Sequence, residues 1–413
     1  MRLLNRGVAA AFLISLVAPV VFAQGTPPER LLRMSEYGLP SSDLDVHIAL
    51  SENDDLAFYA TPRSGSLRVV IAGAARTGLR TLPPPPPGFS GVGASAGNGF
   101  TGVFERGSGA GESQFRSVNS SDGSIITIFG NNFVPNGRFV ATPRFSDSSA
   151  PDVTSIVRTL ENGAASTGLY RSAASGGNII TIVGRLEDRG ISDPRDYDCD
   201  GQTDLDARTL IRATGTYSDG TTAPSMFLAS NVDGTIITIR GQDFGLSAFR
   251  AVQGASLGRD ANGDVLAVGT VIDGGGAAAL VTTRVSATTN LVDFSVLPLP
   301  AISADRLYRP GLSHWGNATF AATLADGSTD EIFVTNAERT SFRPLIGVGD
   351  ALDGSSISRL VFDPQGFASD GDLAFYAELA DGTAGLYLIS TVPAPASGLV
   401  FAGCILGLRR RRS

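Results

Sequence analysis

The sequence predicts an all-β repeat fold, most simply a β-propeller of about seven four-stranded blades. Fifty glycines separate short runs rich in Val, Ile, Phe and Thr, and Asp-Gly and Asn-Gly pairs recur between these runs. Two phrases also repeat along the chain at spacings of 54 to 57 residues. Because no window beyond the N-terminal segment sustains a helical apolar period, long amphipathic helices are not expected.

The two repeated phrases are out of phase with each other. The first reads Ile-Ile-Thr-Ile, usually after Asp-Gly, and its central threonines are Thr127, Thr181 and Thr238. The second reads Asp-Leu-Ala-Phe-Tyr-Ala in its best copies, and it predicts hairpins that start near Leu56, Phe100, Phe139, Leu210, Val265, Thr319 and Leu373. The last three of these positions are each 54 residues apart.

Each unit is interpreted as strands joined by tight turns, as in Asp372–Leu379, the Asp381-Gly382 turn and the strand that follows. One such sheet cannot bury its own faces, whereas about seven arranged around an axis can. The last unit lacks an outer strand, and residues 31–39 could supply it and close the ring. The alternatives are an elongated β-solenoid and a row of tandem β-sandwiches.

Composition limits the chemistry. All 32 basic residues are arginine, so a P-loop lysine, a Schiff base and a pyridoxal-phosphate linkage are excluded. Removing the six arginines of the two chain ends from the net charge of −8 leaves −14 on the central part, which argues against nucleic-acid binding. The two cysteines, Cys199 and Cys404, stand in an aspartate-rich segment and an apolar tail, so no disulfide between them is expected.

The chain ends indicate export. Arg2 and Arg6 precede an apolar run, and a cut after Ala23 would follow small residues, so residues 1–23 are predicted to be a signal peptide. Residues 24–391 form the predicted β-repeat domain, and residues 392–413 form a predicted C-terminal sorting and anchor segment. In that segment the apolar run Gly398–Leu408 is followed by four arginines, which are expected to stay on the cytoplasmic side.

This tail, with Val392-Pro-Ala-Pro before the apolar run, resembles the PEP-CTERM sorting signal of bacterial exported proteins. The resemblance implies recognition by an exosortase, a processing protease-transpeptidase, and membrane anchoring at the cell surface or envelope. The repeats resemble those of exported tandem-repeat proteins of unknown function that carry such tails.

The best candidate site is an aspartate-rich segment. Its oxygen-bearing side chains recur at the spacing that wraps ligands around Ca²⁺, and they are Asp196, Asp198, Asp200, Gln202 and Asp204. The segment resembles the calcium loops of integrin-type propellers and dockerins, which implies a structural calcium ion. The alternative is a solvated acidic turn, because Ala207 stands where an EF-hand has its bidentate carboxylate.

No catalytic constellation is identifiable. His47 and His314 are the only histidines, and Ser95 lies in a Gly-x-Ser-x-Gly match that lacks the strand and helix it requires. We therefore expect an exported, surface-anchored interaction or structural protein, with an extracellular polysaccharide or protein as its ligand. The alternative is a polysaccharide-active hydrolase on the propeller scaffold. An acidic pair or a histidine clustered at one mouth of the central channel would favour the enzyme, and a glycine-lined or apolar channel would favour binding.

Overall fold

The computed structural model describes residues 27–391, apart from residue 52 and residues 63–68, 74–78, 84–88, 108–112, 129–137, 146–150, 162–163, 177, 201–207, 261, 288, 290, 301, 325–326, 328–329 and 369. The predicted signal peptide and sorting tail lie outside the described residues. Within the described part, no helix has the length and apolar character needed to cross a membrane.

The described strands pair into seven antiparallel sheets of four or five strands, which we call blades 1 to 7. The predicted all-β propeller is confirmed. Blade 1 comprises β2 (Leu44–Leu50), β3 (Leu56–Pro62), β4 (Val69–Gly73) and β5 (Arg80–Thr81). Blade 2 comprises β6 (Phe89–Gly97), β7 (Phe100–Gly107), β8 (Ser113–Asn119) and β9 (Ile125–Ile128). Blade 3 comprises β10 (Arg138–Phe139), β11 (Arg144–Phe145), β12 (Asp152–Glu161), β13 (Ala164–Ala173) and β14 (Ile180–Val183).

The remaining blades follow the same order from the axis outward. Blade 4 comprises β15 (Ile191–Asp200), β16 (Arg208–Thr216), β17 (Thr222–Ser230) and β18 (Ile236–Ile239). Blade 5 comprises β19 (Ala251–Arg259), β20 (Val265–Ile272), β21 (Ala278–Val285) and β22 (Val292–Pro298). Blade 6 comprises β23 (Ile302–Leu307), β24 (Gly311–Leu312), β25 (Ala318–Leu324), β26 (Asp330–Thr335) and β27 (Phe342–Gly347). Blade 7 comprises β28 (Ala351–Leu352), β29 (Ser355–Val361), β30 (Asp372–Leu379), β31 (Ala384–Ser390) and β1 (Glu29–Arg33).

Short 3-10 helices occur in four connections of the described chain: Met34–Tyr37, Glu187–Arg189, Gly241–Phe244 and Pro364–Gly366. Many of the turns between strands place glycine at a position with a positive φ. Gly382, in the turn between β30 and β31, has a φ of 84°, and the Asp381 carboxylate before it accepts the Thr383 N–H at 2.9 Å. This is the Asp-Gly turn that the sequence predicted.

The innermost segments of all seven blades surround one axis. A cavity of about 50 Å³ lies on this axis, and each blade contributes lining residues to it. Representatives, in blade order, are Leu50, Ala96, Phe145, Asp198, Leu257, Leu312 and Phe367. This arrangement rules out the β-solenoid and the tandem β-sandwiches.

The ring closes by pairing the two ends of the described chain. β1 is the outer strand of blade 7 and pairs antiparallel with β31, with Glu29 opposite Leu388 and Arg33 opposite Gly385. The sequence placed this closing strand at residues 31–39. Its position as the missing outer strand was right, but it starts two residues earlier and ends at Arg33, where a 3-10 turn begins.

Apolar side chains fill the space between each pair of consecutive blades. Blade 7 shows how one strand serves two of these cores. Phe375 of β30 packs with Ile332 of blade 6, whereas the adjacent Tyr376 packs with Ile48 of blade 1. Successive side chains point to opposite faces of a strand, so each blade is buried on both faces.

The two repeated phrases mark different strands of the blade. The Ile-Ile-Thr-Ile copies are the outermost strands β9, β14 and β18, while the second phrase marks the strand next to the axis strand, as in β3, β20 and β30. The hairpin predicted near Phe139 was misplaced. Phe139 lies on the inner edge of blade 3, and the corresponding strand is β12, which begins at Asp152. The long gap before Leu210 therefore needs no extra unit.

If β1 holds the ring closed, removing its buried side chain should lower the stability of the protein. Leu32 on β1 is 4% exposed and packs between blades 7 and 1. We expect Leu32→Ala to lower the free energy of unfolding by about 2–5 kcal/mol, because it leaves a cavity in this core. The exposed neighbour Arg33 is the matched control, and Arg33→Ala should cost under about 0.5 kcal/mol. Urea unfolding measures both, and equal losses would show that β1 does not hold the ring closed.

Candidate functional site

Charged side chains from five blades meet in and beside the central channel. We call this set the channel cluster: His47 of β2, Arg144 of β11, Asp196 and Asp198 of β15, Arg309 before β24, and Asp363 before the last 3-10 helix. Asp198 and residues 364–365 line the axial cavity itself.

Arg309 is the centre of the cluster. Its Nη1 donates to both carboxylate oxygens of Asp196, at 3.1 and 3.0 Å, and its Nη2 lies 3.0 Å from Oδ2 of Asp198. The side chain is only 9% exposed. Burial alone would lower the pKa of Arg309, but the charges of Asp196 and Asp198 outweigh burial and raise it. Arg309 is therefore a permanent cation shared by two carboxylates, of which Asp198 is buried and Asp196 is half-buried.

The second half of the cluster links the last blade to the first. Asp363 accepts the backbone N–H of Ile48 at 3.2 Å and that of Gln365 at 3.1 Å, and its Oδ2 lies 3.8 Å from Nδ1 of His47. Arg144, which is nearly buried, lies 3.8 Å from Asp196 and adds its charge to this region. The same carboxylate therefore holds both backbone and side-chain groups across the ring junction.

The pKa values in this pair shift in opposite directions. Burial would raise the pKa of Asp363, but the nearby imidazole of His47 and the charge of Arg144 outweigh burial and lower it. Burial would lower the pKa of His47, but the nearby carboxylate of Asp363 raises it. The ionised pair is favoured over the neutral one.

Three of the five positions of the predicted calcium segment lie within the described residues. Asp196 and Asp198 lie on β15 and Asp200 ends it, so these positions form a strand rather than the expected loop. Gln202 and Asp204 lie outside the described residues. Because Asp196 and Asp198 already contact Arg309, calcium would have to share their oxygens with a guanidinium. Calcium binding at these five positions stays a prediction.

An acidic cluster that the sequence did not single out lies where blades 7 and 1 meet. One carboxylate oxygen from each of Asp54, Asp370 and Asp372 lies within 4.8 Å of the other two. Carboxylates at this spacing suit hard divalent cations such as Ca²⁺, Mg²⁺ or Mn²⁺. Asp370 also accepts the Asp372 N–H at 3.0 Å, as turn-forming aspartates commonly do.

The other residues that the sequence considered have structural contacts. The Ser95 hydroxyl is buried and accepts the Phe145 N–H at 3.1 Å. Cys199 has a buried thiol that donates to the Phe145 carbonyl at 3.3 Å. His314 packs edge-to-face on Trp315, with ring centroids 6.1 Å apart. Of the two histidines, His47 is therefore the one that joins the channel cluster.

Sequence reasoning missed Arg144, Arg309 and Asp363. One signal was available, because Arg309 and Asp363 are 54 residues apart, the same spacing as the strong copies of the repeated phrase at Thr319 and Leu373. Equivalent positions in successive blades face the axis together. Aligning the repeats and comparing the polar residues ten positions before Thr319 and Leu373 would have found this pair.

Neither a family model nor a curated protein matches this chain. Among solved structures, an oligogalacturonate lyase in complex with manganese is 12% identical, with a TM-score of 0.51, over 91% of this chain and 99% of that chain. A structure of prolyl endopeptidases is 11% identical, with a TM-score of 0.50, over 86% of this chain and 51% of that chain. At these identities the similarity shows the fold alone. The class of protein is therefore a β-propeller.

The Arg309 contacts make a second prediction. Arg309→Gln removes the cation that contacts the buried Asp198 and leaves Asp196 with Arg144 alone, so we expect a loss of about 3–5 kcal/mol in the free energy of unfolding. Arg306→Gln is the matched control, since Arg306 is 64% exposed and lies 4.0 Å from Asp330; it should cost under about 1 kcal/mol. Chemical denaturation measures both variants. Similar losses would show that the channel carboxylates do not depend on Arg309.

The His47–Asp363 pair makes a prediction about pH. Because the folded state raises the pKa of His47 above its ordinary value of 6.5, the pair stabilises the protein fully below that value, and the stabilisation is lost as pH rises through the folded pKa. We therefore expect His47→Gln to destabilise the protein more at about pH 5.5 than at about pH 8.5. Urea unfolding at both pH values measures this difference.

The control for this experiment is His314→Gln, because the His314 ring packs on Trp315 rather than on a carboxylate. Its cost should be similar at the two pH values. A His47→Gln cost that is equal at both, or larger at the higher pH, would contradict the proposed pairing.

Proposed function

We propose that this protein is an exported, surface-anchored β-propeller that serves as an interaction or structural module. The propeller fold supports the proposal because it presents loops from many blades on a rigid ring. The predicted signal peptide and the tail that resembles a PEP-CTERM signal support a location outside the cytoplasmic membrane, with the tail as the substrate of a sorting protease-transpeptidase.

The observation that carries the proposal is the internal pairing of the channel charges. Asp196 and Asp198 contact Arg309, and Asp363 faces His47 and accepts two backbone N–H groups. A glycosidase needs a carboxylic acid whose pKa is raised so that it can protonate the leaving oxygen. The pKa of Asp363 is instead lowered. These contacts suit a brace between blades better than an acid–base pair.

A second candidate function is a polysaccharide-active hydrolase. The channel is not lined only by glycine and apolar residues, since His47, Asp196, Asp198 and Asp363 lie in or beside it. The sequence analysis took acidic residues or a histidine at the channel as a sign of an enzyme, so the presence of these side chains favours the hydrolase, whereas their pairing with one another favours the brace. The lyase and peptidase named among the similar structures share the fold but give no argument for activity.

One experiment separates the two functions. Spheroplasts that carry the protein are incubated with a panel of extracellular polysaccharides and proteins, and both retained polymer and released reducing ends are measured. We expect at least one polymer to be retained without new reducing ends, and external protease to abolish retention because residues 24–391 lie outside. Retention that survives protease would contradict the exported location.

The matched variant for this assay is Asp363→Asn. If reducing ends appear with the wild-type protein and disappear with this variant, the protein is a hydrolase and not a non-catalytic interaction module. Polymer retention should remain in any Asp363→Asn protein whose unfolding transition shows that it is folded.

A further inference from the structure

A groove between blades 5 and 6 contains the chain's single tryptophan. It has a volume of about 410 Å³, within the range of about 300–1,000 Å³ that is usual for small-molecule sites. Blade 5 contributes the turn between β19 and β20 and the strands β21 and β22, and blade 6 contributes the turns before β25 and β27. The groove lies away from the channel cluster, and none of that cluster's residues lines it.

Two exposed aromatic rings stand on opposite blades of this groove. Trp315 of blade 6 is 52% exposed and Phe294 of blade 5 is 37% exposed. Each is supported from behind by another ring: His314 packs edge-on against Trp315, and Phe244 packs edge-on against Phe294 with centroids 5.2 Å apart. Supported, exposed rings are flat apolar surfaces that are held ready for a ligand.

The polar lining combines donors and acceptors. Arg284 is fixed by Asp260 at 3.0 Å and by Asp264 at 2.6 Å. Arg339 donates to the carbonyl of Ala337 at 2.7 Å, while its Nε is buried and has no hydrogen-bond partner among the described residues. Asn262, Thr282 and Ser295 add an amide and two hydroxyl groups.

Arg339 also has a positive φ of 55°, which is unusual for a residue with a side chain. Such strain is retained where surrounding contacts fix it and often marks a binding site. At this position it places the guanidinium beside the turn that carries Trp315, because Arg339 also donates to the carbonyl of Gly316. The turn and the polar wall of the groove are therefore held together.

We propose that this groove binds a neutral saccharide. The apolar C–H face of a sugar ring stacks on an exposed aromatic ring, and sugar hydroxyls both donate and accept hydrogen bonds, as this lining requires. The three carboxylates and two guanidinium groups of the lining leave a net negative charge, which disfavours an anionic saccharide. A cationic peptide is disfavoured because Asp260 is already paired and Arg284 and Arg339 would repel it.

This inference rests on the proposed interaction function and names its ligand class and site. Because Trp315 is the only tryptophan, intrinsic fluorescence reports directly on the groove. The purified full-length protein is titrated with neutral hexasaccharides of β-1,4-glucan, β-1,3-glucan and mannan type, with polygalacturonate as an anionic probe and oligolysine as a cationic probe. We expect a saturable change in emission with at least one neutral hexasaccharide and none with the charged probes.

Calorimetry with the responding hexasaccharide then tests the variants. Trp315→Ala should weaken binding about tenfold or more. Tyr308→Ala is the matched control because Tyr308 is also 52% exposed but does not line the groove, and it should bind like the wild type. Equal urea midpoints for the two variants show that a loss of binding is not a loss of folding.

The remaining outcomes separate the two proposals. No fluorescence response to any neutral hexasaccharide, or a response to the charged probes alone, overturns the saccharide groove. Saccharide binding that Trp315→Ala leaves unchanged overturns the groove while the interaction module stands. Conversely, binding at Trp315 together with cleavage of the bound saccharide would uphold the groove and overturn the non-catalytic function.

Discussion

Burial of both faces of every blade against its neighbours is the constraint on which the rest of the structure depends. A sheet whose strands place Phe375 on one face and Tyr376 on the other has no solvent side. Such sheets are stable only when each has a partner on both sides, so an open row would leave two apolar faces in water. The ring gives every blade a neighbour on both faces, and it requires a closing strand from the other end of the described chain.

Close to the axis, charge pairing is added to apolar packing. Neighbouring inner segments contact one another around a small axial cavity, and longer side chains also link blades that are not neighbours. Arg309 of blade 6 reaches Asp196 of blade 4 and also lies 3.4 Å from the Ser256 hydroxyl of blade 5. A single guanidinium therefore connects three blades. Such buried pairs cost desolvation energy, and their benefit is greater in fixing the arrangement of blades than in net stability.

The fold could be predicted because repeats, turn residues and alternating apolar strands are local properties of the sequence. The ring closure was also recoverable, since a missing outer strand at one end implies a donor at the other. The site was less accessible, because Asp196 looks like a calcium ligand in sequence but contacts Arg309, which is 113 residues away. The groove around Trp315 depends on two blades meeting, and the sequence places Trp315 only in a turn.

Pairing between β1 and β31 has a consequence for the time at which the molecule becomes complete. Glu29 pairs with Leu388, so the first strand of the described chain cannot pair until the last described strand has been synthesised. Contacts of such sequence separation form slowly because the loop between them must close first. Until then β31 has an open edge, and a second chain at the same stage could pair with it. The interval between the end of synthesis and the docking of β1 is therefore the period in which aggregation competes with folding.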